Sequence, residues 1–193
     1  LVTALIGLAA PTGAQAVTTY TEDQVVVGYY AGWAAYQGFH PDQIQGDLLN
    51  HINYAFADID PQKNALVLGD PGQDQKNLSA LRTLRKKYPH LKLLISVGGW
   101  DYSAHFSDEA STASRRSAFA ESCVQLIVEQ GLDGIDLDWE YPVSGGLPGT
   151  VHRPQDKQNF TLLLQAIRDK LDQQSKKDGK TYYLTIAGAA STG

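Results

Sequence analysis

Residues 133–140 read Asp-Gly-Ile-Asp-Leu-Asp-Trp-Glu. Side chains alternate along an extended strand, so Asp136, Asp138 and Glu140 share one face, while Ile135, Leu137 and Trp139 point the other way. Each ionised carboxylate makes its neighbour harder to ionise, so one member of this file is expected to hold a proton at neutral pH. Glu140 stands at the C-terminal end of the run, just before Tyr141-Pro142 stops it. Two blander readings compete. An exposed edge strand with harmless charges is disfavoured by the apolar residues on the opposite face. A Mg²⁺ or Ca²⁺ site is disfavoured because a ladder along one strand is poor geometry for wrapping a cation. Asp133 is off parity with the other three and reads as structural, at the strand entrance. Trp139 and Tyr141 are expected to face away from the acids and pack.

Such a strand needs neighbours. Five short apolar runs rich in β-branched and aromatic residues read as strands: residues 24–31 (QVVVGYYA), 51–58 (HINYAFAD), 91–97 (LKLLISV), 134–140 (GIDLDWE) and 182–188 (YYLTIAG). Their near-continuous apolarity suggests burial on both faces, as in parallel sheets. Helical spacing lies between them. Leu78, Leu81 and Leu84 form one apolar stripe. Phe119, Cys123, Leu126 and Ile127 form a second, and Phe160, Leu163, Leu164, Ile167 and Leu171 a third, ahead of Gly179. Between the first two strands, Ile44, Leu48 and Leu49 suggest a short helix. Alternating strands and helices imply a parallel α/β sheet, and a barrel or a doubly wound sheet both fit.

Composition narrows the partners. The 193 residues carry a net charge of −5, with 42% hydrophobic and 19% charged residues, which suits a globular domain and not the neutralisation of a phosphate backbone. No nucleic acid partner is expected. A single cysteine excludes an internal disulfide and zinc-finger frameworks, and Cys123 reads as a buried thiol. The five histidines lack metal-ligand spacing, so neither metal nor other cofactor is expected.

At this point the chain resembles family 18 glycoside hydrolases, the chitinases, in their bacterial form. DGIDLDWE matches the DxxDxDxE signature, and Ser96-Val97-Gly98-Gly99 matches SxGG on the preceding strand. Gly28-Tyr29-Tyr30, the 51–58 strand with Phe56, and the LTIAGA stretch at 184–189 are also similar, so the likeness covers about residues 24–193. It implies an eight-stranded TIM barrel of which this chain holds about the first five β/α units. It implies hydrolysis of β-1,4 links in chitin or N-acetylglucosamine oligomers, with Glu140 as general acid. The substrate's own N-acetyl oxygen would act as nucleophile, since family 18 is an exception to the two-carboxylate rule. Asp138 would orient the acetamide, and Asp136 would share a proton with Asp138. Tyr29 and Ser96 would hydrogen-bond the inner aspartate. Phe56 and Trp100 would line the sugar sites, and Gly98 and Gly99 would let backbone and substrate approach closely. Trp33 is open between cleft and core. Alternatives are an endo-β-N-acetylglucosaminidase acting on glycoprotein glycans, or a lectin-like relative without catalysis. The presence of Glu140 disfavours the lectin.

The ends of the chain carry a further expectation. Residues 1–10 (LVTALIGLAA) form an uncharged apolar run, followed by Ala14-Gln15-Ala16, a small-x-small cleavage pattern. Ten residues are too few to cross a bilayer, so residues 1–16 read as the end of a secretory signal peptide rather than a membrane anchor. A secreted, extracellular product beginning at Val17 follows, with residues 17–193 as the N-terminal part of the catalytic domain. The sequence contains no Met and is expected to be cut at both ends. Five strands cannot close a barrel, so activity of the isolated piece is doubtful, whereas the full-length protein is expected to be a monomer with no membrane partner.

Overall fold

The structure is a computed structural model and describes residues 24–188. The signal-peptide expectation, at residues 1–16, lies outside them, as does Ala189 at the end of the LTIAGA stretch.

Six strands form one sheet: β1 (Val27–Ala31), β2 (His51–Asp60), β3 (Ala65–Leu68), β4 (Lys92–Gly98), β5 (Gly134–Asp138) and β6 (Tyr183–Ile186). β1, β2, β4, β5 and β6 are parallel and lie side by side in chain order. A doubly wound sheet reverses direction partway across. This one does not, which settles the choice that the sequence left open in favour of barrel-type winding. β3 was not expected. It folds back antiparallel on the far end of β2, pairing Ala57 with Leu68 and Asp60 with Ala65.

The crossovers are α1 (Pro71–Lys87), two short helices α2 (Gly99–Tyr102) and α3 (Phe106–Ala110), then α4 (Ala113–Glu129) and α5 (Asp156–Asp178). Their ends follow local chemistry. Asp70 caps α1 by accepting from the Gln73 N–H at 3.2 Å, Pro71 opens it, and Arg85, Lys86 and Lys87 occupy its last turn. α5 stops at Gly179, whose φ of 73° is left-handed. The helix expected between the first two strands is instead three 3₁₀ turns, Gly32–Gln37, Pro41–Gln43 and Gly46–Leu48. Left-handed Gly38 ends the first, and Pro41 starts the next, so no run is long enough for an α-helix.

The two faces of the sheet differ sharply. Ile52, Tyr54, Leu93, Ile95, Val97, Ile135 and Leu137 point outward into a core with Leu78, Leu81, Phe119, Cys123, Ile127, Leu163 and Ile167 from the helices. Each fully buried large side chain there contributes about 1.5–3 kcal/mol. The opposite face carries Asn53, Ser96 and Asp136, all buried and polar. Burial on both faces is therefore right for the central strands, but the inner face mixes these polar groups with Leu94 and Ala55. At the edges, β1 and β6 leave Tyr29 and Ile186 about half exposed. No helix among the described residues is long and apolar enough to cross a membrane.

Candidate active site

Register places Ala31, Ala55, Ser96, Asp136 and Thr185 in one row across β1, β2, β4, β5 and β6. Four of the five are small, so the row leaves room for the Tyr29 ring to reach the one carboxylate. Asp136 is 1% exposed. A buried charge survives only with full hydrogen bonding. Its Oδ2 accepts from Tyr29 Oη at 2.7 Å and Ser96 Oγ at 2.9 Å, and its Oδ1 accepts from Thr185 Oγ1 at 2.6 Å. Burial and the adjacent Asp136 raise the Tyr29 phenol well above its usual range, so it remains a donor.

Asp138 is the last residue of β5 and pairs with Gly98. Burial, then the charge of Glu140, then that of Asp136, push its carboxyl up to about 6. That midpoint lies below neutral pH, so Asp138 is mostly ionised at pH 7 and takes up a proton on mild acidification.

Glu140 lies two residues beyond the strand, so the alternation rule no longer applies there. Trp139 still packs as expected, stacked on Phe106 at 5.4 Å and edge-on to Phe160 at 5.3 Å. Tyr141 does not. It lines the cleft beside Glu140, which corrects the expectation that it faces away. What holds the Glu140 backbone is Ser103, whose Oγ accepts from the Glu140 N–H at 2.9 Å.

Tyr29, Trp33, Phe56, Asp138, Glu140 and Tyr141 line an open cleft of about 470 Å³. Phe56 arrives there through a β-bulge: Ala55 pairs with Ser96 and Ala57 with Val97, leaving Phe56 as the extra residue. Bulges re-aim side chains in this way. Trp33 stacks on Phe56 with ring centroids 6.2 Å apart, which puts it on the cleft wall and answers the question left open by the sequence. Trp100 is half exposed on α2 and is not among the residues lining this cleft. Nor are Gly98 and Gly99. Gly98 has φ 101°, and a Cβ there would overlap the Asp138 carbonyl; a Cβ on Gly99 would come within 2.7 Å of the Phe56 ring. Their close approach is to the protein's own groups.

Asp133 takes the structural place expected of it: its Oδ2 accepts from Arg85 Nη1 at 2.7 Å and the Leu93 N–H at 2.9 Å. Cys123 is wholly buried, and that burial raises its thiol, consistent with packing. Among the described residues, no group of three His, Cys, Asp or Glu is arranged to hold a metal ion. Sequence reasoning missed Ser103 and Thr185. Ser103 follows the four-residue α2, in a stretch without periodic signal, and Thr185 is recognisable only once β6 is registered against β5.

The geometry can donate a proton from one carboxyl in the cleft, with a second carboxyl two residues away and aromatic side chains lining the same cleft. Comparison with known proteins is consistent with that chemistry. A profile of the glycosyl hydrolases family 18 matches residues 25–193. Chitinase A1 of Niallia circulans is 42% identical, over 94% of this chain and 32% of that protein. Chitinase ChiA74 from Bacillus thuringiensis superposes with a TM-score of 0.83 at 38% identity, covering 88% of this chain and 36% of that one. A family 18 N-acetylglucosaminidase from Paenibacillus barengoltzii does so with a TM-score of 0.73 at 41% identity, covering 87% and 46%. The chain spans about a third to under half of the length of these relatives.

Proposed function

The chain belongs to the glycosyl hydrolases family 18, and from that premise we propose that it supplies the acid half of a chitinase: hydrolysis of β-1,4 links between N-acetylglucosamine units, with retention. The observation that carries the reading is the pair formed by Asp138 and Glu140 at the C-terminal end of β5, opening on a cleft walled by Trp33, Phe56 and Tyr141. That end of the strands is where barrel enzymes do chemistry.

In this reading Glu140 protonates the glycosidic oxygen as the bond breaks. The acetamide oxygen of the sugar attacks the anomeric carbon, forming a cyclic oxazolinium ion that water then opens. Asp138 accepts from the acetamide N–H and offsets the positive charge that develops beside it. Asp136, fixed by Tyr29, Ser96 and Thr185, shares a proton with Asp138 as the acetamide is engaged. Sugar rings stack on the aromatic walls through their apolar faces.

The relative that is an N-acetylglucosaminidase keeps a second reading in play, cleavage of single units from a chain end. Product analysis on chitin hexamers separates the two. Mixed dimers, trimers and tetramers support the chitinase, and monomer alone supports the other. Release of glycan from a high-mannose glycoprotein, with chitin oligomers untouched, would overturn both. Export is part of the same proposal, since the substrate is an insoluble polymer outside cells. N-terminal sequencing of secreted material should begin at Val17, and finding residues 1–10 still attached would contradict it.

A further inference from the structure

We infer that Ser103 is a positioning residue for Glu140, an inference that rests on the reading of Glu140 as the acid. β5 ends at Asp138, and the last ladder pair is Gly98 with Asp138. Beyond it the chain has no strand partner, so the Glu140 N–H must find an acceptor elsewhere or remain unpaired. Ser103 supplies it at 2.9 Å. The same hydroxyl carries one proton and two acceptor positions. Its proton is directed at the Gly99 carbonyl, 2.8 Å away, or the Asp138 carbonyl, 3.1 Å away. One buried oxygen therefore joins two backbone segments: α2, which begins at Gly99 directly after β4, and the exit of β5. Ser103 is 1% exposed and does not line the cleft, so it touches no substrate.

Its effect falls on direction rather than binding. The backbone of Glu140 is held on one side by Ser103. On the other it is closed in by Gly146, where a Cβ would overlap the Glu140 carbonyl. Releasing the N–H lets the backbone pivot about Asp138 and swings the carboxyl away from the glycosidic oxygen. Displacement of a catalytic group by about 1 Å can cost up to about 100-fold in rate. The walls that bind sugar, Trp33, Phe56 and Tyr141, do not depend on this contact.

The experiment compares Ser103→Ala and Ser103→Thr with the parent in the protein that carries this chain. Chitin tetramer serves as substrate, and its affinity is measured in a Glu140→Gln background. Ser103→Ala should lower kcat by about 10- to 100-fold, leave KM and tetramer affinity within about twofold, and speed amide exchange at Glu140. Ser103→Thr, which keeps the hydroxyl, should restore most of the rate and the protection. A Ser103→Ala kcat within twofold of the parent would overturn the inference, as would a loss of rate matched by an equal loss of affinity. Unchanged protection of the Glu140 amide would do so as well, and that measurement is independent of turnover. If the parent does not cleave chitin oligomers, the functional reading fails, and amide exchange alone still decides whether Ser103 holds Glu140.

Discussion

The Tyr29 hydroxyl lies 2.7 Å from Asp136 Oδ2, although two strands, β2 and β4, separate β1 from β5. Three strand spacings amount to about 14 Å on a flat sheet, where side chains stand perpendicular to the surface and parallel to one another. The two groups meet because the sheet curls around them. The neighbouring row also offers Ala31 and Ala55 where larger residues would intervene. This bond is a chord across the inside of the curve, and it ties the first strand to the acid strand.

Tyr29→Phe removes that hydroxyl and little else. A hydrogen bond to a charged group is worth about 1.5–3 kcal/mol. Expressed in the transition state, that is a loss of about 10- to 100-fold in kcat/KM. Steady-state kinetics on a soluble chitin oligomer should show it mainly in kcat. An unchanged rate would mean that Ser96 and Thr185 suffice to fix Asp136.

Glu140→Gln keeps the shape of the acid and deletes its proton. Turnover should fall by about 10²–10⁴-fold or more, while oligomer affinity, measured by calorimetry, stays close to the parent's. An intact rate would move the acid role to another residue.

Asp138 supplies a pH dependence of stability with a definite sign. Its folded-state pKa of about 6 lies above the ordinary 3.8, so folding favours the protonated form. The stabilisation is fully present below about 3.8 and is lost as the pH rises through about 6. Asp138→Asn should therefore raise the unfolding temperature at pH 7, with the gain shrinking to nothing below pH 4. Removing the Glu140 charge should lower the Asp138 midpoint, read from its carboxyl ¹³C shift, since that charge is its largest cause after burial.

Gly98 and Gly38 both have positive φ, 101° and 83°, but their surroundings differ. An alanine at Gly38 meets nothing within 4 Å and should cost only the backbone strain, about 1–2 kcal/mol. At Gly98 it meets the Asp138 carbonyl and, at 2.6 Å, the Phe106 ring. Gly98→Ala should then cost several kcal/mol in urea unfolding and abolish activity. Equal costs at the two positions would show that the crowding at Gly98 is relieved by movement.

These features were legible in the sequence to different degrees, for physical reasons. The strand periodicity of residues 134–138 and the helical stripes through Leu78, Phe119 and Leu163 were readable because burial imposes them residue by residue. The acids were readable because three carboxylates on one face have few harmless explanations. Parity failed at Tyr141 because β5 stops at Asp138, and nothing local announces that stop two residues early. β3 was invisible because ALVL is four residues long and pairs only with the end of β2. Phe56 reached the cleft through a bulge, and Thr185 met Asp136 through register. Both depend on a neighbouring strand, which periodicity within one segment does not contain.

In the proposed mechanism the substrate, not the protein, provides the nucleophile. Retaining glycosidases with their own nucleophile place a second carboxylate about 5–5.5 Å from the acid, across the scissile bond. Asp138 instead closes β5 only two residues before Glu140, and both line one cleft. Proton NMR of the first product formed from a chitin hexamer, recorded before mutarotation, tests this directly. Attack by the acetamide should give the β-anomer from chitin and no product from a cellulose hexamer, which lacks the acetamide. An α-anomer, or comparable cleavage of the cellulose hexamer, would contradict it.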